Sequence, residues 1–350
     1  MGFSISELVK TTQLTRHVGL MDATRLIQRV LGLSRAQPRQ AASATALLPA
    51  SQARPATFTE HFFRFAEDRY AYRLYVPSAG DEARPSPLPL VVLLHGCQQN
   101  AHDFAQGTAM NELAEQKKCL VLYPEQLSKA NSMRCWNWFE PAHQARDAGE
   151  PGMIAALTRQ VLLEHNADPA RVYIAGLSAG GAMAALVAGL YPEVFAAVGV
   201  HSGLPPGAAG DVVSAFSAMR RGARRTAGTG EKDCVVPTIV FHGSADKTVH
   251  PGNGDQVADA ALAALEARGL ALEKSQSTEG SAAGTGSSAG SRSAVRTTYS
   301  TADGKSYVEH WAVGSGPHAW SGGNAAGSFT DPQGPSASRA MLEFLFQHHK

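Results

Sequence analysis

The spacing of hydrophobic and polar positions changes several times along the 350-residue chain, and each change marks an element. Between residues 4 and 33, Leu8, Leu14, Val18, Leu20, Met21, Leu26, Ile27, Val30 and Leu31 recur at helical spacing among Arg and Gln. Residues 36–56 are rich in Ala, Gln and Pro and read as a linker. Residues 1–56 are therefore an N-terminal amphipathic extension and linker, and residues 57–350 form one domain. The helix suits docking on that domain, an interfacial position or a processed targeting piece.

Residues 58–76 alternate around Glu67-Asp68-Arg69, as a β-hairpin does. From Leu90 onward, continuous apolar runs at 90–94, 119–124, 172–177, 195–200 and 237–243 predict buried strands. Between and after them, residues 104–117, 153–166, 179–190, 253–268 and 336–348 carry helical patterns. Residues 296–300 and 307–313 predict a late strand pair. Strands alternating with helices give an α/β class, with a mostly parallel sheet covered on both faces. Two stretches depart from this. Residues 208–231 are basic and rich in small residues, which predicts a cap or surface insertion. Residues 275–293 are Ser/Gly/Ala-rich, which predicts a disordered loop.

One strand-to-helix junction carries chemistry. Val172-Tyr173-Ile174-Ala175 leads into Gly176-Leu177-Ser178-Ala179-Gly180, and small helix formers follow. A Gly-x-Ser-x-Gly turn between strand and helix is the nucleophile elbow of an α/β-hydrolase, so the expected fold is a mostly parallel central sheet with helices on both faces. An attacking serine needs a base, a carboxylate to orient the base, and donors for the oxyanion. In this fold the chain order is Ser, Asp, His. Asp246 directly follows a strand downstream of the elbow, and His318 lies in a Gly/Pro-flanked loop after the last strand. The alternatives fit worse: Asp255 is at a helix start, Asp303 is in an Asp-Gly turn, His310 is within a strand, and His348 and His349 are terminal. The expected triad is Ser178, Asp246 and His318. The oxyanion donors are expected to be the backbone N–H groups of Ala179 and of Cys97 in the loop after Leu94, with Gln98 the next choice.

Composition adds limits. The formal net charge of +1 with 17% charged residues sets up no field for a nucleic-acid partner. No apolar run approaches the roughly 20 residues of a membrane span. Cys97, Cys119, Cys135 and Cys234 show no metal-type pairing, so neither a metal nor another cofactor is expected. Cys97 and Cys135 both fall in loops at the expected top of the sheet, where a bridge between them is open geometrically. The sequence sets no oligomeric state.

Together, Leu94-His95-Gly96-Cys97-Gln98-Gln99, Arg134-Cys135-Trp136-Asn137-Trp138-Phe139, the elbow, Phe241-His242-Gly243-Ser244-Ala245-Asp246 and Gly316-Pro317-His318-Ala319-Trp320 resemble the polyhydroxybutyrate (PHB) depolymerase family of serine esterases. The resemblance covers about residues 58–348. It implies a carboxylic ester hydrolase for short-chain polyhydroxyalkanoates or related oligoesters, with feruloyl and acetyl-xylan esterases as relatives on the same fold. It places the triad on Ser178, Asp246 and His318. Gln98, Trp138 and Trp320, near these motifs, are expected to line the substrate site. Many such depolymerases are extracellular and carry further binding modules. No standard secretory signal or C-terminal module is visible here, so an intracellular setting is open too, and soluble or amorphous oligoesters suit the chain better than crystalline polymer. The alternative from another class is a non-catalytic binding protein on a hydrolase fold, which requires a displaced triad member.

Overall fold

The computed structural model describes residues 54–79, 87–223, 236–280 and 291–350. The amphipathic stretch before residue 54 and Cys234 lie outside the described residues.

A ten-stranded sheet runs in the order β1-β2-β4-β3-β5-β6-β7-β10-β9-β8. Strands β1 (Thr57–Phe65) and β2 (Asp68–Val76) form the expected hairpin, with Phe65 opposite Asp68. The centre is parallel throughout: β4 (Leu120–Pro124), β3 (Leu90–Leu94), β5 (Val172–Leu177), β6 (Ala197–His201), β7 (Thr238–Gly243) and β10 (Ser306–Val313). Every residue of β3 to β7 is buried, which is why these strands read as unbroken apolar runs.

Alternate side chains of each central strand enter different cores. Leu90, Val92, Leu94, Val172 and Ile174 pack with α3 (Gly149–Glu164) and α4 (Ala179–Leu190). Val91, Leu93, Tyr173 and Ala175 pack with α1 (Ala101–Thr108), α2 (Met110–Lys117) and the closing helix α7 (Ala337–Leu345). Helices thus cover both faces. The single helix expected over 104–117 is two helices, because Ala109 takes a left-handed conformation (φ 50°) between them. Among the described residues, no helix is long and apolar enough to cross a membrane.

The low-complexity stretch is also shorter than expected. Ser275 to Glu279 belong to β8 (Glu273–Glu279), which pairs antiparallel with β9 (Ala294–Ser300) at the sheet edge. β8 buries almost no side chain, so its hold is main-chain pairing, and a polar sequence suffices. Residues 281–290 lie outside the described residues.

Candidate active site

Backbone geometry at the end of β5 lifts one hydroxyl clear of the sheet. Ser178 adopts φ 57° and ψ −120°, a conformation that non-glycine residues rarely hold without support. Its N–H donates to the His201 carbonyl (2.8 Å), and its carbonyl accepts from Ala182 N–H (2.9 Å) in the first turn of α4. Neighbouring backbone crowds the turn. A Cβ on Gly176 would lie 2.8 Å from the Leu94 carbonyl oxygen, and one on Gly180 would lie 2.5 Å from that of His95. The glycines flanking the serine are therefore demanded by close approach of the β3 end.

The carboxylate and the imidazole arrive on two loops locked to each other. Beyond β7, Ser244 N–H donates to Val313 O (2.9 Å) and Ala245 N–H to Gly316 O (3.0 Å). Asp246 Oδ1 then accepts from Thr248 and Val249 N–H, each at 2.8 Å. Asp246 Oδ2 lies 2.7 Å from His318 Nδ1, and His318 Nε2 lies 2.9 Å from Ser178 Oγ. An ionised carboxylate only accepts, so the His318 proton sits on Nδ1 and leaves Nε2 free to take the serine proton. Burial pushes the Asp246 carboxyl up, but hydrogen bonds from His242 and His318 and from Val249 N–H outweigh it. The group is held below the usual carboxylate range. The structure brings together the three side chains named from sequence.

The expected oxyanion donors flank Ser178. Ala179 N–H opens α4, and Cys97 N–H lies in the loop after β3. Among the described residues, neither donates to a protein acceptor. Gln98, the second choice, is otherwise engaged: its N–H donates to Met133 O at 2.7 Å, in a left-handed residue (φ 65°). The loop is pinned from several sides. Cys97 and Cys135 are joined by a disulfide. Gln99 Oε1 accepts Gly96 N–H (2.9 Å), and its Nε2 donates to Asp103 Oδ2 and Ser328 O, each at 3.0 Å. Buried His95 donates from Nδ1 to Gly96 O (2.7 Å) and accepts Gln126 N–H at Nε2 (3.1 Å). Burial pushes this imidazole down to about 4, so it is neutral at pH 7. Below, the buried Glu150 carboxylate accepts from Asn137 N–H and Asn137 Nδ2, each at 2.7 Å, and anchors the tryptophan loop.

Beside Ser178 and His318 opens a cavity of about 490 Å³, lined by Cys97, Gln98, Trp138, Phe139, Leu204 and Phe216 among others. Gln98 and Trp138 line it as expected. Trp320 does not. The chain turns at Ala319, whose N–H bonds back to Pro317 O (3.0 Å), and Trp320 enters the short strand β11 (Trp320–Ser321) pointing inward. Its ring is buried between Phe104 and His201, and its Nε1 donates to Ser338 Oγ (2.9 Å).

The wall that the sequence left unassigned is α5 (Val212–Arg221), within the small-residue segment. Val212, Ala215, Phe216 and Met219 face the cavity at spacings of three, four and seven, so the helical period was the available signal. Asp211 starts the helix by accepting Ser214 N–H (2.7 Å).

A Ser–His–Asp relay above a parallel sheet with helices on both faces defines an α/β-hydrolase. Residues 70–280 match the family model described as "Esterase PHB depolymerase", and the chain belongs to that family. It is 36% identical over 195 residues to poly(3-hydroxyalkanoate) depolymerase C of Paucimonas lemoignei, covering 53% of this chain and 46% of that one. It is 30% identical over 264 residues to poly(3-hydroxybutyrate) depolymerase of Ralstonia pickettii, covering 71% and 51%. It is 32% identical over 193 residues to feruloyl esterase B of Neurospora crassa, covering 51% and 64%. The chain thus spans 46% to 64% of the length of these relatives. Acetyl xylan esterase from Aspergillus awamori shares the fold, with a TM-score of 0.57 at 20% identity over 79% of this chain and 94% of that one.

Proposed function

We propose that residues 57–350 form the catalytic domain of a serine esterase acting on short polyhydroxyalkanoate or related oligoesters. The observation that carries this reading is the unbroken Ser178–His318–Asp246 hydrogen-bond chain, at 2.9 and 2.7 Å, opening on an apolar cavity. A non-catalytic binding protein would have no need of all three groups in register.

His318 Nε2 takes the Ser178 proton as Oγ attacks the ester carbonyl. The new oxyanion sits against the Ala179 N–H at the head of α4, where the helix dipole favours negative charge, and the Cys97 N–H of the loop after β3. Asp246 stays ionised, keeps Nδ1 protonated and stabilises the imidazolium. His318 then protonates the leaving alcohol, and the acyl group remains on Ser178. Water deprotonated by His318 attacks this acyl-enzyme, and Ser178 leaves with the proton returned from His318.

The walls are mostly apolar and, among the described residues, no Asp, Glu, Lys or Arg lines the cavity, which suits a neutral ester with an aliphatic acyl chain. Relatives named feruloyl esterase B and acetylxylan esterase A favour a second reading, a feruloyl or acetyl-xylan type esterase. A panel of hydroxybutyrate oligomers, a feruloyl ester and acetylated xylan separates the two. The expected order puts the oligomers first, with Ser178→Ala reducing turnover of all of them at least about 10³-fold. Preference for the feruloyl ester or acetylated xylan contradicts the main reading, and turnover retained in Ser178→Ala contradicts both.

A further inference from the structure

At the end of β7, a second imidazole reaches the same carboxylate. Side chains of β7 alternate between the two cores, and His242 occupies a position where Val240, two residues earlier, is apolar. It is 2% exposed. Its Nε2 lies 2.9 Å from the Val249 carbonyl oxygen, which can only accept, so Nε2 carries the proton. The same nitrogen lies 3.4 Å from Asp246 Oδ2, the oxygen that holds His318. Nδ1 is then an acceptor, and it is buried without a partner among the described residues. The helix α6 (Gly252–Glu266) presses on the ring: a Cβ on Gly254 would sit 2.7 Å from His242 Nδ1.

An imidazole that leaves one nitrogen unsatisfied is a poor space filler where apolar neighbours would do. What it does gain is a closed circuit. His242 Nε2–H holds Val249 O, Val249 N–H holds Asp246 Oδ1 (2.8 Å), and His242 Nε2 lies 3.4 Å from Asp246 Oδ2. We infer that His242 is a positioning residue, fixing the rotation of the Asp246 carboxylate so that Oδ2 stays aimed at His318 Nδ1. His242 touches neither the cavity nor Ser178, so it acts through Asp246 alone. The inference rests on the esterase reading for its turnover readout, and on geometry for its placement.

The test compares the full-length wild type with His242→Leu, which removes the N–H, His242→Gln, whose Nε2 restores a donor at the same reach, and Gly254→Ala, which displaces the ring without removing it. Each is assayed for kcat and KM on p-nitrophenyl butyrate, for the rate of Ser178 labelling by a fluorophosphonate, and for melting temperature. His242→Leu is expected to lower kcat and the labelling rate about tenfold or more, with KM within about threefold, and His242→Gln to recover most of the loss. Gly254→Ala is expected to fall between them. A folded His242→Leu that matches wild type, or a His242→Gln no better than His242→Leu at equal folded fraction, overturns the inference. If His242→Leu does not fold, unchanged kcat in a folded Gly254→Ala overturns it. If wild type hydrolyses no ester but is labelled at Ser178, the esterase reading fails while the labelling rates still decide the role of His242. Absence of both turnover and labelling in wild type overturns both.

Discussion

At the scale of single residues, the site depends on backbone contacts that permit no side chain. Gly180 lies so close to the end of β3 that a methyl group would meet the His95 carbonyl oxygen at 2.5 Å. Gly180→Ala is therefore expected to destabilise the domain by about 1–3 kcal/mol and to lower turnover further than the stability loss explains, because the elbow and the Cys97 loop must part. Denaturant midpoints alongside kcat check this, and a Gly180→Ala protein of native stability and activity contradicts it. The triad was legible because three residue types had to occur in one order at strand ends, a demand few chance sequences meet. Trp320 stands two residues from His318 in sequence, yet it does not line the substrate cavity. The turn at Ala319 sends the tryptophan into the core instead. His242 stands in the sequence only as part of the strand-end motif that leads to Asp246, with no role of its own. Its meaning lies in the Val249 and Asp246 oxygens that the fold brings to it.

At the scale of elements, the central strands and the helices on either face could be read from apolar runs and helical period. The helix over residues 212–221 was not, since its apolar side is short and its outer residues are exposed: Val213 is 80% and Phe216 56% accessible. A helix with apolar residues on the cavity side and at the rim suits contact with an apolar substrate. Phe216→Asp is expected to raise KM for p-nitrophenyl butyrate about tenfold, with a much smaller change for the acetate ester and kcat nearly unchanged. Equal KM changes for the two esters contradict a wall that reads acyl length. The edge strand β8 was likewise misread as part of a disordered loop. An exposed strand has no core face to impose alternation, so composition gave no sign of the pairing with β9 that holds it.

At the scale of the whole molecule, acid stability follows from histidines buried without charge. Burial pushes His95 and His348 down to about 4 and takes His201 well below its usual range. The unfolded chain binds these protons near pH 6.5 while the folded chain resists them. Stability is therefore full above about pH 6.5 and falls as the pH drops toward 4, by up to about 1.4 kcal/mol per pH unit for each site. Asp246 acts in the same direction in a lower window: its folded carboxyl is held below the ordinary value near 3.9, so its contribution is full above that value and is lost as the pH falls below it. Denaturant midpoints between pH 7 and 4 are expected to fall steadily, and a flat profile contradicts this assignment.

The expectations for turnover and labelling depend on Ser178 being the nucleophile activated by His318. The most direct measurement is the mass of the full-length protein, and of its elbow peptide, after reaction with a fluorophosphonate. One adduct per chain on Ser178, abolished by Ser178→Ala and strongly slowed by His318→Ala, is the expected result. No adduct, or an adduct on any other residue, contradicts it.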